Sequence, residues 1–330
     1  MHESLDPELA RELNEKPLPP PVVPIFDIHM HSASPQATAA YVRAARKYGV
    51  VGAVNMTFGG MASALREHFG DFFVPCGWPI WQHGKEEPPD WDWFGQEWVD
   101  GLTEKVHAGM RFIKTKLVPR PDGPTPIWLD DPRLAAMFAQ CEALRLPVQV
   151  HAAQPDRWWR SKLKADMCGP KSAYLDQVER VMRNHPRLRV LSVHMGSSPE
   201  DLKYLARLME TYPNYHIDTS ATKWTVRELS AKPAESRAFF IDHAERICFG
   251  SDLVVQEGAP DSYYTSRFHV QRTMWETGVR GRSMIRDPDA DPDGPYLNGL
   301  ALPADVLTRL YRDNARRLLA EVAVEAVSKS

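Results

Sequence analysis

From residue 25 onward the chain alternates between two rhythms. Short apolar or β-branched runs give way to stretches of helical periodicity, and the exchange repeats to near the end of the chain. The runs that read as strands are 25–31 (IFDIHMH), 50–56, 72–77, 112–117, 147–151, 188–194, 215–219 and 247–252. These eight start about 32 residues apart on average, the size of one βα unit. Helix starts follow several of them. Ser34-Pro35 opens a stretch through Tyr48 that Gly49 closes, Asp131-Pro132 opens one through Leu144, and Ser198-Pro199-Glu200-Asp201 opens one through Thr211. In each, a capping side chain precedes a first-turn proline, whose missing N–H costs nothing there. Residues 1–24 end in a proline-rich extended lead-in, and 282–299, rich in Asp, Pro and Gly, reads as a long surface loop.

Eight strands, each followed by a helix, predict the α/β class and a (β/α)8 TIM barrel over 25–330, with a short N-terminal arm (1–24) and long βα loops. A doubly wound sheet would carry a glycine-rich phosphate turn after its first strand, and His31-Ser-Ala-Ser-Pro is not one.

In such a barrel the active site lies at the C-terminal strand ends, so residues capable of chemistry should close strands. Alternation along the first strand puts Asp27, His29 and His31 on one face, expected to point into the barrel, and Phe26, Ile28 and Met30 on the other. His151 closes the fifth strand, His194 the sixth and Asp252 the eighth. Four imidazoles and a carboxylate on four strand ends can converge on one axis, a donor set suited to zinc at about 2.0–2.2 Å. One such histidine alone would more often be a core residue bonded to backbone. Four together without a ligand would leave several buried polar atoms to satisfy. Asp27 suits a partner of a ligand histidine or of a nearby cation, and Lys114 suits pairing with a buried acid such as Asp27.

Composition narrows the partners. A chain 43% hydrophobic and 10% aromatic can bury a sizeable core, which excludes wholesale disorder. Forty basic against 43 acidic residues, with no basic run, give no footprint for nucleic acid. No apolar run approaches the roughly 18 residues of a membrane span, and the first twenty residues lack the apolar centre of a secretion signal. Four dispersed cysteines fit reduced thiols and a cytoplasmic location. A homo-oligomer is compatible with all of this. The partner expected is a small molecule. Tryptophans at 78, 81, 91, 93 and 98 follow the third strand, with Trp78 and Trp81 the best placed to face a planar substrate. Arg157, beside Trp158 and Trp159 after the fifth strand, and Arg120, after the fourth, are candidates to receive an anionic one.

The ordered set FDIHMH (26–31), FIKTKLVP (112–119), DDPRLAAMFAQCEALRLPVQVHA (130–152), LSVHMGS (191–197), YPNYHIDTS (212–220), ICFGSD (247–252) and DNARRLL (313–319) resembles the amidohydrolase superfamily. More narrowly, it resembles the branch holding aminocarboxymuconate semialdehyde decarboxylase, related aromatic-acid decarboxylases and lactone hydrolases. The resemblance implies one divalent metal, zinc or else manganese, on His29, His31, His151 and Asp252. His194 is then left to orient or deprotonate a metal-bound water, and Asp252 to shuttle its proton. Lys116, closing the fourth strand, falls where binuclear members carry a carboxylated bridging lysine. It either bridges two metals in that way or stays an ammonium that pairs with a substrate carboxylate, and the motifs favour the second.

The function expected is a metal-dependent hydrolase of a small, carboxylate-bearing, perhaps aromatic, ester, lactone or amide. The alternative is a non-oxidative decarboxylase of an aromatic or unsaturated acid using the same metal set.

Overall fold

Each apolar run forms a parallel strand. The computed structural model describes residues 18–57, 59–77, 99, 101–119, 127–163, 168–291 and 294–322. Its main strands are β1 (Ile25–His31), β2 (Val50–Asn55), β3 (Phe73–Gly77), β4 (Phe112–Lys116), β5 (Val148–His151), β6 (Val190–Ser192), β7 (Tyr215–Asp218), β8 (Ile247–Cys248) and β9 (Leu253–Val254). They lie in the order β8-β7-β6-β5-β4-β3-β2-β1-β9. Because β9 follows β8 after four residues and pairs with β1, the sheet closes on itself as a TIM barrel. The amides of Ile28, Asp252 and Val255 stitch that seam, donating to the carbonyls of Phe249, His29 and His31 at 2.9, 2.7 and 2.8 Å.

Two apolar layers hold the fold. A large outer layer joins the strands to the covering helices and includes Ile25, Met30, Tyr41 and Val42. A small inner plug takes Ile28, Val54, Cys76, Phe112, Leu191 and Cys248 from six strands and closes on Ala315 and Leu318 of the C-terminal helix. The helix Pro35–Lys47 starts as expected, with Ser34 Oγ accepting from the Ala37 amide. All four cysteines are buried, and none forms a disulfide among the described residues. Among the described residues no helix is long and apolar enough to cross a membrane.

Four expectations are corrected. Asp201, not Ser198, caps the helix Leu202–Thr211, through the Tyr204 amide. The sixth strand stops at Ser192 because His194 and Met195 turn into left-handed backbone, at φ 56° and 52°. The eighth breaks after Cys248 and resumes at Leu253, past Asp252 at φ 52°. The segment read as a loop over 282–299 contributes to a two-stranded antiparallel ribbon, β10 (Arg280–Arg282) with β11 (Tyr296–Asn298).

Candidate metal centre

The facing expected for β1 also needs correction, and the correction explains the site. Phe26 packs on the inner plug that contains Ile28, whereas Asp27 turns outward to Tyr41 on the covering helix Pro35–Lys47. The register of β1 on β2 shifts between Asp27 and Met30. Past that irregularity Met30 joins the outer layer, and His29 and His31 both face the barrel mouth.

Asp27 nevertheless serves the centre. Its carboxylate accepts from the Tyr41 hydroxyl at 2.8 Å, the Ser251 amide at 2.9 Å, the Ser251 hydroxyl at 2.5 Å and the His29 amide at 3.1 Å. Burial pushes its pKa up to about 6, against those hydrogen bonds. It therefore ties the broken eighth strand, and so Asp252, to β1. It does this through Ser251 rather than through a histidine ring, and Lys114 is not its partner.

At the mouth, His29 Nε2 and His31 Nε2 lie 3.3 and 3.2 Å from the same oxygen, Asp252 Oδ1, and His194 Nε2 lies 4.0 Å from Oδ2. Asp218, at the end of β7, fixes the proton positions. Its Oδ1 accepts from the His194 amide (2.7 Å), the Ser220 amide (3.1 Å) and the Ser220 hydroxyl. Its Oδ2 therefore accepts the proton of His29 Nδ1, at 2.9 Å. With its own proton spent on Asp218, Ser220 Oγ accepts from His194 Nδ1 at 2.8 Å. Both rings thus carry the proton on Nδ1 and present an Nε2 lone pair to the mouth.

The buried imidazoles of His29, His151 and His194 are all held well below the ordinary histidine pKa, first by burial. Burial alone would raise Asp252, but the nearby His29 and the hydrogen bond from His31 outweigh it and keep that carboxylate below its usual range. An unprotonated imidazole nitrogen facing a carboxylate oxygen at 3.3 Å is two acceptors in contact, an arrangement that a cation between them relieves. Ligand atoms about 3.3 Å apart are also what a tetrahedral ion with bonds near 2.0–2.1 Å requires. His151 contributes a further orphan. Its Nε2 is buried with no hydrogen-bond partner among the described residues, and its ring stands edge-on to His194 at 4.4 Å.

The donor set fits a divalent metal, with His29, His31 and Asp252 able to hold it together and His151 set slightly apart. Ligating atoms within 4.8 Å of one another form two groups among the described residues, His29-His31-Asp252 and His29-His194-Asp218, and neither includes His151. A cation of the protein also reaches the centre: Lys114 Nζ lies 3.2 Å from His29 Nε2. Burial brings this amine down to about 8. Lys116 is partly buried and in register with His151.

A cavity of about 380 Å3 opens onto Asp252. Its walls include Trp158, Trp224, Tyr263, Lys223 and Arg267. Trp224 meets the His194 ring edge-on at 5.7 Å. Arg157 is engaged elsewhere, donating to the Asp289 carbonyl at 2.8 Å and the Asp291 carboxylate at 3.0 Å. Trp78, Trp81 and Arg120 lie outside the described residues. Sequence reasoning missed Asp218, Ser220, Ser251 and Trp224. The first, second and last sit at or just past the end of β7, where the strand-end rule already applied.

A closed βα barrel with an imidazole–carboxylate centre at its C-terminal mouth defines a class of metal-type barrel enzymes. The sequence matches the Amidohydrolase (Amidohydro_2) family profile over residues 16–320, and the chain belongs to that family. Among solved structures, a Pseudomonas putida protein whose proposed activity is 2-pyrone-4,6-dicarboxylic acid hydrolysis superposes with a TM-score of 0.54. It is 15% identical over 91% of this chain and 99% of its own. An uncharacterised TIM-barrel protein from Bordetella bronchiseptica gives 0.51 at 16% identity, covering 90% and 99%. The 5-carboxyvanillate decarboxylase of Sphingomonas paucimobilis gives 0.50 at 12% identity, covering 90% and 99%. At these identities the likeness concerns the fold. No curated protein matches the sequence.

Proposed function

We propose that this protein is a metal-dependent hydrolase of a small, carboxylate-bearing ester, lactone or amide. One observation carries the reading: His29 Nε2 and a carboxylate oxygen of Asp252 face each other at 3.3 Å, two acceptors that a divalent cation would bridge. His29, His31, His151 and Asp252 would hold one divalent ion, with zinc suited to this nitrogen-rich set. Bound there, the ion would supply a water acidified towards neutral pH and polarise the substrate carbonyl.

The chain's own groups do the rest. Asp252 takes up a proton from the attacking water and returns it to the leaving group. His194 Nε2, aimed by Ser220, orients that water. Trp158 and Trp224 offer flat apolar faces to the substrate, while Arg267 and Lys223 of the cavity wall, with Lys116 at the end of β4, supply positive charge for its carboxylate. Four buried cysteines outside any disulfide support a reducing, cytoplasmic setting.

The same donors could serve a decarboxylase, so the test must separate the two. The metal-loaded protein is incubated with carboxylated lactones and esters and with aromatic acids, following base uptake and CO2 release, and with carboxylated amides, following amine release. Acid production without CO2, abolished in Asp252→Asn, is expected. CO2 release without acid equivalents would transfer the site to the lyase reading.

A further inference from the structure

The floor of the barrel, opposite the imidazole mouth, holds a second cavity of about 500 Å3. The residues immediately before three neighbouring strands line it: Arg189 before β6, Asn214 before β7 and Arg246 before β8. His216 of β7 and Arg317 of the C-terminal helix Asn314–Ala320 complete the wall. In barrel enzymes this face ordinarily serves stability, which makes a cluster of guanidinium groups there unexpected.

Three guanidiniums and three carboxylates line the cavity, and they differ in how their donors are used. Arg189 is buried. Its Nη1 donates to Glu321 at 2.9 Å and to the Leu318 carbonyl at 3.2 Å, while Nε and Nη2 have no hydrogen-bond partner among the described residues. Arg246 donates to the carbonyls of Met209 and Tyr212, and Arg317 to the carbonyl of Glu245 and to Asn314 Oδ1. Carbonyl and amide oxygens satisfy donors but cancel no charge. The carboxylates at the cavity, Glu210, Glu245 and Glu321, are exposed, where water and salt screen them. Burial, opposed by the Asn214 carbonyl, brings the His216 imidazole down to about 4, and the guanidiniums of Arg317, Arg246 and Arg189 add to the fall.

We propose that this floor cavity binds a small dianionic oxyanion of the phosphate class between Arg246 and Arg317, with the buried charge of Arg189 behind them. Guanidinium forks match the geometry of phosphate oxygens. The volume leaves room for the organic part of a phosphate monoester. The site is separate from the metal centre and stands or falls independently of the proposed reaction.

The experiment uses the full chain carrying His29→Ala, which removes phosphate binding to metal at the mouth. Inorganic phosphate is titrated at constant ionic strength against chloride, reading melting temperature and the ring proton shifts of His216. A saturable rise of several degrees with phosphate but not chloride, accompanied by movement of the His216 signals, is expected. Arg317→Gln and Arg246→Gln should each weaken it about tenfold; made separately in the chain that retains His29, the same substitutions should leave metal content unchanged, as a check on folding. Should Arg246→Gln misfold through loss of its carbonyl contacts, the exposed Arg317 decides alone. No saturable effect beyond chloride, or equal affinity in Arg317→Gln, overturns the proposal.

Discussion

Asp218 Oδ2 and His29 Nδ1 meet at 2.9 Å, both fully buried, and that contact decides which nitrogen His29 offers to the barrel mouth. The other oxygen of the same carboxylate fixes His194 through its amide and through Ser220. One residue on β7 therefore sets the tautomers of two rings that come from β1 and the turn after β6.

Replacing it should loosen the metal rather than the fold. Asp218→Asn keeps an oxygen for part of these contacts but can present an amide N–H to His29. Metal affinity is expected to fall about 10–100-fold, measured by competition with a chromophoric chelator. Unchanged affinity would show that His29 is oriented without Asp218.

Lys114 should act in the opposite sense. Its amine competes for the nitrogen a metal would use, at 3.2 Å, and places positive charge beside the site. Lys114→Met is expected to raise metal affinity by about tenfold. A loss of affinity would instead make Lys114 a support of the centre.

Gly250 sits where the broken eighth strand passes the centre. A Cβ there would lie 3.2 Å from Asp218 Oδ2, His29 Cβ and Ser220 Cβ at once. Gly250→Ala should cost about 1–3 kcal/mol of stability and weaken metal binding with it. Denaturant unfolding with and without metal checks both.

The metal-free protein should lose stability as pH falls. His216 has a folded pKa of about 4 against 6.5 for a free histidine, so the unfolded state binds its proton first. The stability this residue contributes is lost as pH falls from 6.5 towards 4, at most about 3 kcal/mol. Asp27, raised from 3.8 to about 6, works the other way and nearly offsets it. Asp218, also raised by burial, gains stability on acidification, while Asp252, held low, loses it. The net change then follows His29, His151 and His194, all depressed, and is a loss below pH 6.5. Melting temperatures of chelated protein should drop between pH 7 and pH 5. A flat or rising profile would contradict the buried neutral imidazoles.

The βα rhythm made the barrel legible because period-2 and period-3.6 patterns differ locally, and strand-end histidines stood out because such polar residues rarely close apolar runs. The facing of β1 did not, since strict alternation breaks at the irregularity between Asp27 and Met30. That break lies in pairing with β2, and the chain near Asp27 gives no local sign of it. Asp218 escaped notice for another reason. It reads as an ordinary strand-closing aspartate until the closed barrel brings it to His29, 189 residues away in sequence. Left-handed backbone at His194 and Asp252 was equally invisible, because neither is glycine and tertiary bonds hold both turns.

The central claim is that the facing lone pairs of His29 and Asp252 hold a divalent ion. It is tested most directly by elemental analysis of protein loaded with zinc and freed of excess, alongside His29→Ala and Asp252→Ala. About one ion per chain in the parent and almost none in either variant is the predicted result. Equal metal content in all three proteins, or none in the parent, would contradict it.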